Sequence, residues 1–139
     1  MADTVQRVDY FSIEVPDKPG EAFRVLQALV SAGINLLACR GHQVGGRAQI
    51  EVVPDDTAAF NATAAKAGLD VKAAKSGFLI QGDDRAGALA QNLHKLAGAG
   101  INVTGIDAMS AGAGRWSAIV WVKPEDVSRA ATALGALSK

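Results

Sequence analysis

One stretch of this 139-residue chain occurs twice, and that repetition constrains the fold more than any other feature. The first copy runs from Lys18-Pro19-Gly20 to Gly33-Ile34-Asn35, and the second from Arg85-Ala86-Gly87 to Gly100-Ile101-Asn102. Gly20 and Gly87 lie 67 positions apart, as do Asn35 and Asn102. Between these ends Leu26 answers Leu93, Leu29 answers Leu96, and Ala32-Gly33-Ile34-Asn35 answers Ala99-Gly100-Ile101-Asn102. Asp17 and Asp84 stand at the same distance before the two glycines. An ungapped register over some twenty residues makes the chain a tandem repeat of one supersecondary unit. The length suits two very small domains sharing a core, with expected ranges 1–75 and 76–139.

Within the first unit, Val8 to Val15 alternates Phe11, Ile13 and Val15 with Tyr10, Ser12 and Glu14, the pattern of a half-buried strand. Pro16-Asp17-Lys18-Pro19-Gly20 stops it. Asp17 is placed to cap the following helix, Pro19 to sit in its first turn, and Glu21 to complement its positive end. Ala22, Val25, Leu26 and Leu29 recur at helical spacing, which predicts a helix from about Pro19 to Ala32, ended by Gly33. A strand over Ile34–Gln43, a turn at Val44-Gly45-Gly46 and a partner strand over Arg47–Val53 form a hairpin. Pro54-Asp55-Asp56-Thr57 starts a helix carrying Phe60 and Ala64 on one face and ending at Gly68. Leu69 to Lys75 reads as a weaker strand.

The second unit repeats the order. Gly77–Gly82 is a strand, and Asp84–Ala99 a helix burying Leu89, Leu93 and Leu96. Ile101–Met109 is a strand, Ser110 to Gly114 a longer hairpin tip, and Trp116–Val122 the returning strand. Pro124-Glu125-Asp126 opens a last helix with Val127, Ala130, Leu134 and Leu137. No final strand is expected after it. Right-handed strand–helix–strand crossovers put both helices of a unit on one face of its antiparallel sheet. The expected fold class is therefore α+β, two ferredoxin-like βαββαβ units in tandem, the second lacking its final strand.

Alignment through Pro54 and Pro124 puts Ile119 and Trp121 where the first unit has Gln49 and Glu51. A tryptophan on an otherwise polar strand face implies packing against a second sheet, most simply in a homodimer. The alternative is a one-residue difference of register, which would exchange the two faces.

Composition narrows the function classes. The 14 basic and 14 acidic residues give zero formal net charge and aromatics are 5%, so neither nucleic acid nor an anionic membrane is an expected partner. Met1 to Asp9 carries acidic residues and no apolar run, unlike a signal peptide, and no apolar stretch approaches the ~20 residues needed to span a bilayer. Cys39 is the single cysteine and reads as a small core residue, compatible with a reducing, cytoplasmic location. His42 and His94 are isolated, without metal-ligand spacing, and Arg40, Arg47 and Arg115 read as solvated charges near the hairpins. No phosphate-loop pattern follows the paired glycines, and no Ser/His/Asp or paired-carboxylate set is present. No catalytic residue, metal or cofactor is expected.

The repeated unit resembles the ACT domain, a small regulatory module of amino-acid metabolism. The features that carry the resemblance are Val15-Pro16-Asp17-Lys18-Pro19-Gly20 with Leu29 to Asn35, and Asp84-Arg85-Ala86-Gly87 with Leu96 to Asn102. It extends from Val8 to Leu137 and is closest to stand-alone tandem-ACT proteins without a catalytic domain. It implies amino-acid binding between ACT units, at Asp17, Pro19, Gly20, Ile34 and Asn35 in the first copy and Asp84, Gly87, Ile101 and Asn102 in the second. A glycine at a helix start lets a carboxylate approach free amides, and an Asn or acidic side chain can meet an α-ammonium group. Ala86 departs from the motif's proline. Read without the resemblance, the same Asp–Gly turns need only cap and pack. The expectation is a regulatory module sensing an amino acid, with a homodimer and a regulated protein as partners; the alternative is a ligand-free dimerisation or interaction scaffold.

Overall fold

A computed structural model describes residues 3–137, so the outermost residues of the two expected ranges, 1–2 and 138–139, lie outside the described residues. The chain divides into two compact units: Asp9–Lys75, and the described parts of Met1–Val8 and Ser76–Lys139. The first strand, β1 (Thr4–Pro16), contributes to both.

In the unit Asp9–Lys75, β1 is followed by α1 (Glu21–Ser31), β2 (Leu36–Val44), β3 (Arg47–Pro54) and α2 (Thr57–Ala67). The sheet order is β2-β3-β1, with antiparallel pairs such as Phe11↔Val52, Ile13↔Ile50 and Cys39↔Val52. Strand alternation sends Phe11, Ile13, Val15, Ile50 and Val52 into one core with Val25 and Leu29 of α1 and Phe60 and Ala64 of α2. Both helices therefore cover the same face. Phe60 is fully buried, its ring centroid 4.6 Å from that of Phe11. Burial of such a side chain stabilises by about 1.5–3 kcal/mol. Within the expected start signal Asp56 is the residue that caps α2, its Oδ1 accepting from the Ala59 amide at 3.0 Å.

Three expectations for this unit are corrected. Asp17 does not cap α1: the N-cap is Gly20, at φ 89° with no side-chain cap, and the Asp17 carboxylate instead accepts from Gln43 Nε2 on β2. The left-handed turn at Gly20 delays the helix start to Glu21, leaving Asp17 too far upstream. The expected strand Leu69–Lys75 is reduced to a bridge between Val71 and Ile13, with the Glu14 amide donating to Asp70 O and the Lys72 amide to Ser12 O. Residues 72–75 are exposed and have no apolar face to hold them down. Cys39 is exposed rather than in the core: it lies opposite buried Val52, but on β2, the terminal strand of the sheet.

The other unit contains β4 (Lys75–Asp83), α3 (Ala88–Gly98), β5 (Val103–Gly112), β6 (Arg115–Val122), a 3-10 turn (Pro124–Asp126) and α4 (Val127–Leu134). Its strands are ordered β4-β6-β5, and its core joins Phe78 and Ile80 to Trp116, Ala118, Val120 and Val122 beneath Leu96, Val127, Ala130 and Leu134. Each unit is thus a helix-covered antiparallel sheet of the expected α+β class. The edge left by the absent final strand is covered from the far end of the chain. β1 is the other neighbour of β4; its Thr4–Val8 portion belongs to this unit, and Val5 enters the core.

Here too the details differ. Leu137 is not on the last helix: Gly135 closes α4 after Leu134, and Leu137 forms a parallel bridge with Gln6, its amide donating to Val5 O at 2.8 Å. On α3 the fully buried positions are Ala88, Asn92 and Leu96, while Leu89 and Leu93 are half-buried against the core. The long hairpin tip is a two-residue turn, Ala113-Gly114, with the extra residues absorbed by a bulge between Ser110 and Gly112. Ile119 and Trp121 are each only 5% exposed within the single chain, which removes the exposed-tryptophan argument for a partner. Gly77 makes room for that indole, since a Cβ there would lie 3.4 Å from Trp121 Cδ1 and 3.3 Å from Val120 O. Among the described residues no helix is long and apolar enough to cross a membrane.

Ala113 has φ 54°, a left-handed conformation that costs an L-residue about 1–2 kcal/mol. Ala113→Gly is expected to raise the unfolding free energy by about 0.5–1 kcal/mol in chemical denaturation, because relief of strain outweighs the added chain entropy. A loss of stability would contradict the turn assignment.

Candidate functional site

The two copies of the turn into the first helix share one geometry. Gly87, like Gly20, is the N-cap of its helix, at φ 84°, and no side chain caps α3. The Ala88 amide donates to Arg85 O at 3.3 Å, but the next amides of a helix start have no intrahelical acceptors, and together with the helix dipole they attract an anion. At α3 this helix start borders an open cleft of about 530 Å³, within the range of small-ligand sites. Asp84, Arg85, Gly87 and Ala88 form its polar end; Leu89 and Leu93 from α3 face Ala108, Met109 and Ser110 of β5, and Trp116 of β6 also lines it.

Of the residues implied by the resemblance, Asp84 and Gly87 thus line one cleft. Ile101 and Ile34 are buried core residues, 5% and 6% exposed. Asn35 and Asn102 are exposed at the approach to β2 and β5, and the Asn35 carbonyl accepts from the Asp55 amide at 2.9 Å. Asp17, Pro19 and Gly20 are exposed at the start of α1. A second groove, about 450 Å³, lies elsewhere in that unit, along α2 and residues 69–74.

Beside the α3 cleft stands a polar cluster that the sequence reading missed. The Asp3 carboxylate, its side chain 6% exposed, accepts from Arg85 Nη1 and Nη2, both at 3.0 Å. It also accepts from Asn92 Nδ2 at 2.8 Å and from Trp116 Nε1 at 3.3 Å. Arg85 is steadied further by Gln91 Oε1 at 2.7 Å and Asp83 O at 2.9 Å. The repeat explains the space. At the 67-residue offset, Gly82 answers Val15 and Asn92 answers Val25, both core valines of the first unit. A Cβ on Gly82 would collide with Asp3 Oδ1, so the volume of one core side chain is given over to a carboxylate. Asn92 within an otherwise apolar stripe was the available signal; nothing local marked Asp3.

The guanidinium of Arg85, assisted by Asn92 and Trp116, holds the Asp3 carboxyl down at about 2 against the opposing effect of burial. Other charges are less organised. Arg47 pairs with Glu14 at 3.0 Å and Arg115 with Asp83 at 3.1 Å, exposed contacts worth about 0–1 kcal/mol. In the unit Asp9–Lys75, Arg40 Nη1 and His42 Nδ1 lie 3.6 and 3.8 Å from Glu51 Oε1, and burial beside Glu51 pushes the Tyr10 hydroxyl up to about 12. His94 is exposed. Although Cys39 is exposed, partial desolvation by its surroundings raises the pKa of its thiol, which leaves less of the nucleophilic thiolate. Among the described residues no group of three or more His, Cys, Asp or Glu is placed to hold a metal ion.

Because the Asp3 carboxyl is depressed in the folded state, its contribution is complete above the ordinary carboxylate range near 4 and is lost as pH falls towards about 2. Asp3→Asn is expected to cost about 1–3 kcal/mol at pH 7 and to flatten the decline in stability between pH 4 and 2. Denaturant titrations of both proteins across that range check this; an unchanged acid limb would contradict it.

No protein-family model matches the chain, and no curated protein matches its sequence. Solved structures do. Protein BT0572 from Bacteroides thetaiotaomicron superposes with a TM-score of 0.81 at 17% identity, over 94% of this chain and 88% of that one. The ligand-free regulatory subunit of aspartate kinase from Thermus thermophilus gives 0.66 at 20% identity, over 97% and 95%. The regulatory subunit of aspartate kinase from Thermus flavus gives 0.56 at 24%, over 96% and 94%. At these identities the likeness is one of fold, and the fold of this chain is a tandem of ACT-type units.

Proposed function

We propose that this chain is a non-enzymatic regulatory module that binds a free amino acid in the cleft at the start of α3. The observation that carries the reading is the uncapped helix start at Gly87 opening onto that cleft. The ligand's α-carboxylate takes the first-turn amides of α3, and Asp84 meets its ammonium group. Leu89, Leu93 and Met109 receive the side chain, which favours a small apolar amino acid over a charged one. Asp17, Pro19, Gly20 and Asn35 form the corresponding, weaker candidate in the first unit, where Gln43 already engages the Asp17 carboxylate. The regulatory subunits of aspartate kinase among the similar folds support a regulatory role, exerted on a partner protein in the cytoplasm.

A scaffold role is the second reading. It is favoured by apolar side chains exposed on the terminal strands of the two sheets, Leu37 and Val44 on β2 and Ile106 and Met109 on β5, which suit edge pairing in a homodimer. Dimerisation indifferent to every amino acid would favour it.

Thermal unfolding against each common amino acid at millimolar concentration tests the first reading. A ligand at 100 times its Kd stabilises by roughly 2.7 kcal/mol, a shift of several degrees for a domain of this size. Ala90→Glu places a carboxylate in the first turn of α3, where it favours the helix by about 0.3–1 kcal/mol yet repels an anionic ligand. The expected result is one or a few stabilising amino acids whose effect disappears in Ala90→Glu and persists in Asp17→Asn. The same effect retained in Ala90→Glu would remove the site.

A further inference from the structure

We propose that the Arg85–Asn92–Trp116 pocket is a carboxylate receptor which the chain occupies itself, Asp3 being a tethered competitor that a free carboxylate replaces. The receptor is separate from the head-group site at the start of α3, so it takes a carboxylate of its own and stands without the amino-acid-binding reading.

The pocket has the donor set of a ligand site rather than of a surface ion pair. Arg85 addresses both carboxylate oxygens through two nitrogens, each at 3.0 Å, the fork geometry suited to carboxylates. Asn92 Nδ2 at 2.8 Å and Trp116 Nε1 at 3.3 Å complete four donors converging on two oxygens. The floor is glycine, Gly82, where the first unit has a core valine, Val15. Replacement of two buried valines by glycine and asparagine creates a hole that an apolar core does not need, and a carboxylate fits it.

Two observations point beyond Asp3 as its only occupant. Asn92 is 1% exposed, and its Oδ1 is buried without a hydrogen-bond partner among the described residues, although such groups are costly to leave unpaired. An acceptor left over beside a carboxylate site is what an amide or hydroxyl donor of an incoming carboxylate ligand would take. Arg85, Ala88 and Trp116 also line the α3 cleft, so the pocket adjoins the volume through which a ligand enters. Asp3 itself lies outside the repeated turn–helix framework and precedes the first residue of β1. It can leave the pocket without breaking a helix or a hairpin. Tethering gives it an effective concentration in the millimolar range, so a competing ligand must bind the pocket well enough to exceed that.

Acetate is the probe, and the readout is the indole N–H resonance of Trp116 in two-dimensional NMR, with chloride at equal ionic strength as the control. Asp3→Ala, which empties the pocket, is expected to lower the unfolding midpoint. Acetate should then restore the midpoint and move the Trp116 resonance in a saturable manner. Asp3→Asn preserves the side-chain shape if the alanine variant fails to fold, and is expected to bind acetate at least tenfold more tightly than the wild type. Adding Arg85→Gln to either variant should abolish saturation. Saturable acetate binding in the variants, with no response of the wild type to any amino acid, would uphold the receptor while removing the sensor reading. Acetate that acts no better than chloride on both Asp3 variants, or equally well after Arg85→Gln, would overturn the receptor.

Discussion

The first helix of each unit begins on a glycine in the left-handed conformation, Gly20 in one and Gly87 in the other, and the candidate chemistry follows from that constraint. A residue with positive φ at the N-cap turns the chain sharply into the helix, and a glycine there has no side chain to satisfy the first amides. The preceding aspartates cannot substitute for it, because they lie three residues upstream on the other side of the turn. The second unit therefore retains an electropositive helix start without a side-chain cap, whereas Glu21 in the first turn of α1 complements that of the first unit. In the second unit the same turn sends Arg85 towards Asp3, while Asp84 and Gly87 remain at the mouth of the cleft.

The repeated units have diverged where their first strand meets their first helix. Val15 and Val25 complete an apolar core in one; Gly82 and Asn92 stand in their places in the other and leave room for a carboxylate. A buried charge is tolerated only with a full complement of partners, and Asp3 has Arg85, Asn92 and Trp116. The cluster also fastens the N-terminal part of β1, which covers the edge of β4 in place of a final strand. Polar specificity has thus been added to one unit of a symmetric frame, which argues against treating the two copies as equivalent sites.

Much of this fold was legible because its signals are local or repeated. Periodicity and turn residues marked both hairpins and the α-helices of the described residues, and Pro54 to Thr57 followed by Phe60 and Ala64 located α2. The failures share a physical cause. Whether Asp17 or Gly20 takes the N-cap depends on the sign of one backbone dihedral, and either residue suits the position. The tight turn at Ala113 requires a conformation that alanine rarely adopts, so five small residues read as a longer tip. The Asp3 cluster depends on contacts spanning 82 to 113 positions, beyond any local pattern. Of the candidate site, the Asp–Gly turn was readable from the motif. The cleft beside it was not, since Leu93 and Met109 meet only through the packing of α3 over β5.

The central claim is that the start of α3 is a binding site for the head group of an amino acid. Its most direct test is a backbone amide NMR titration with the amino acid that most stabilises the protein. The account predicts saturable shifts concentrated at Leu89 and Ala90, with smaller ones at Met109 and Ser110 across the cleft. Saturation with those amides unmoved, or with the largest shifts at the start of α1, would contradict it.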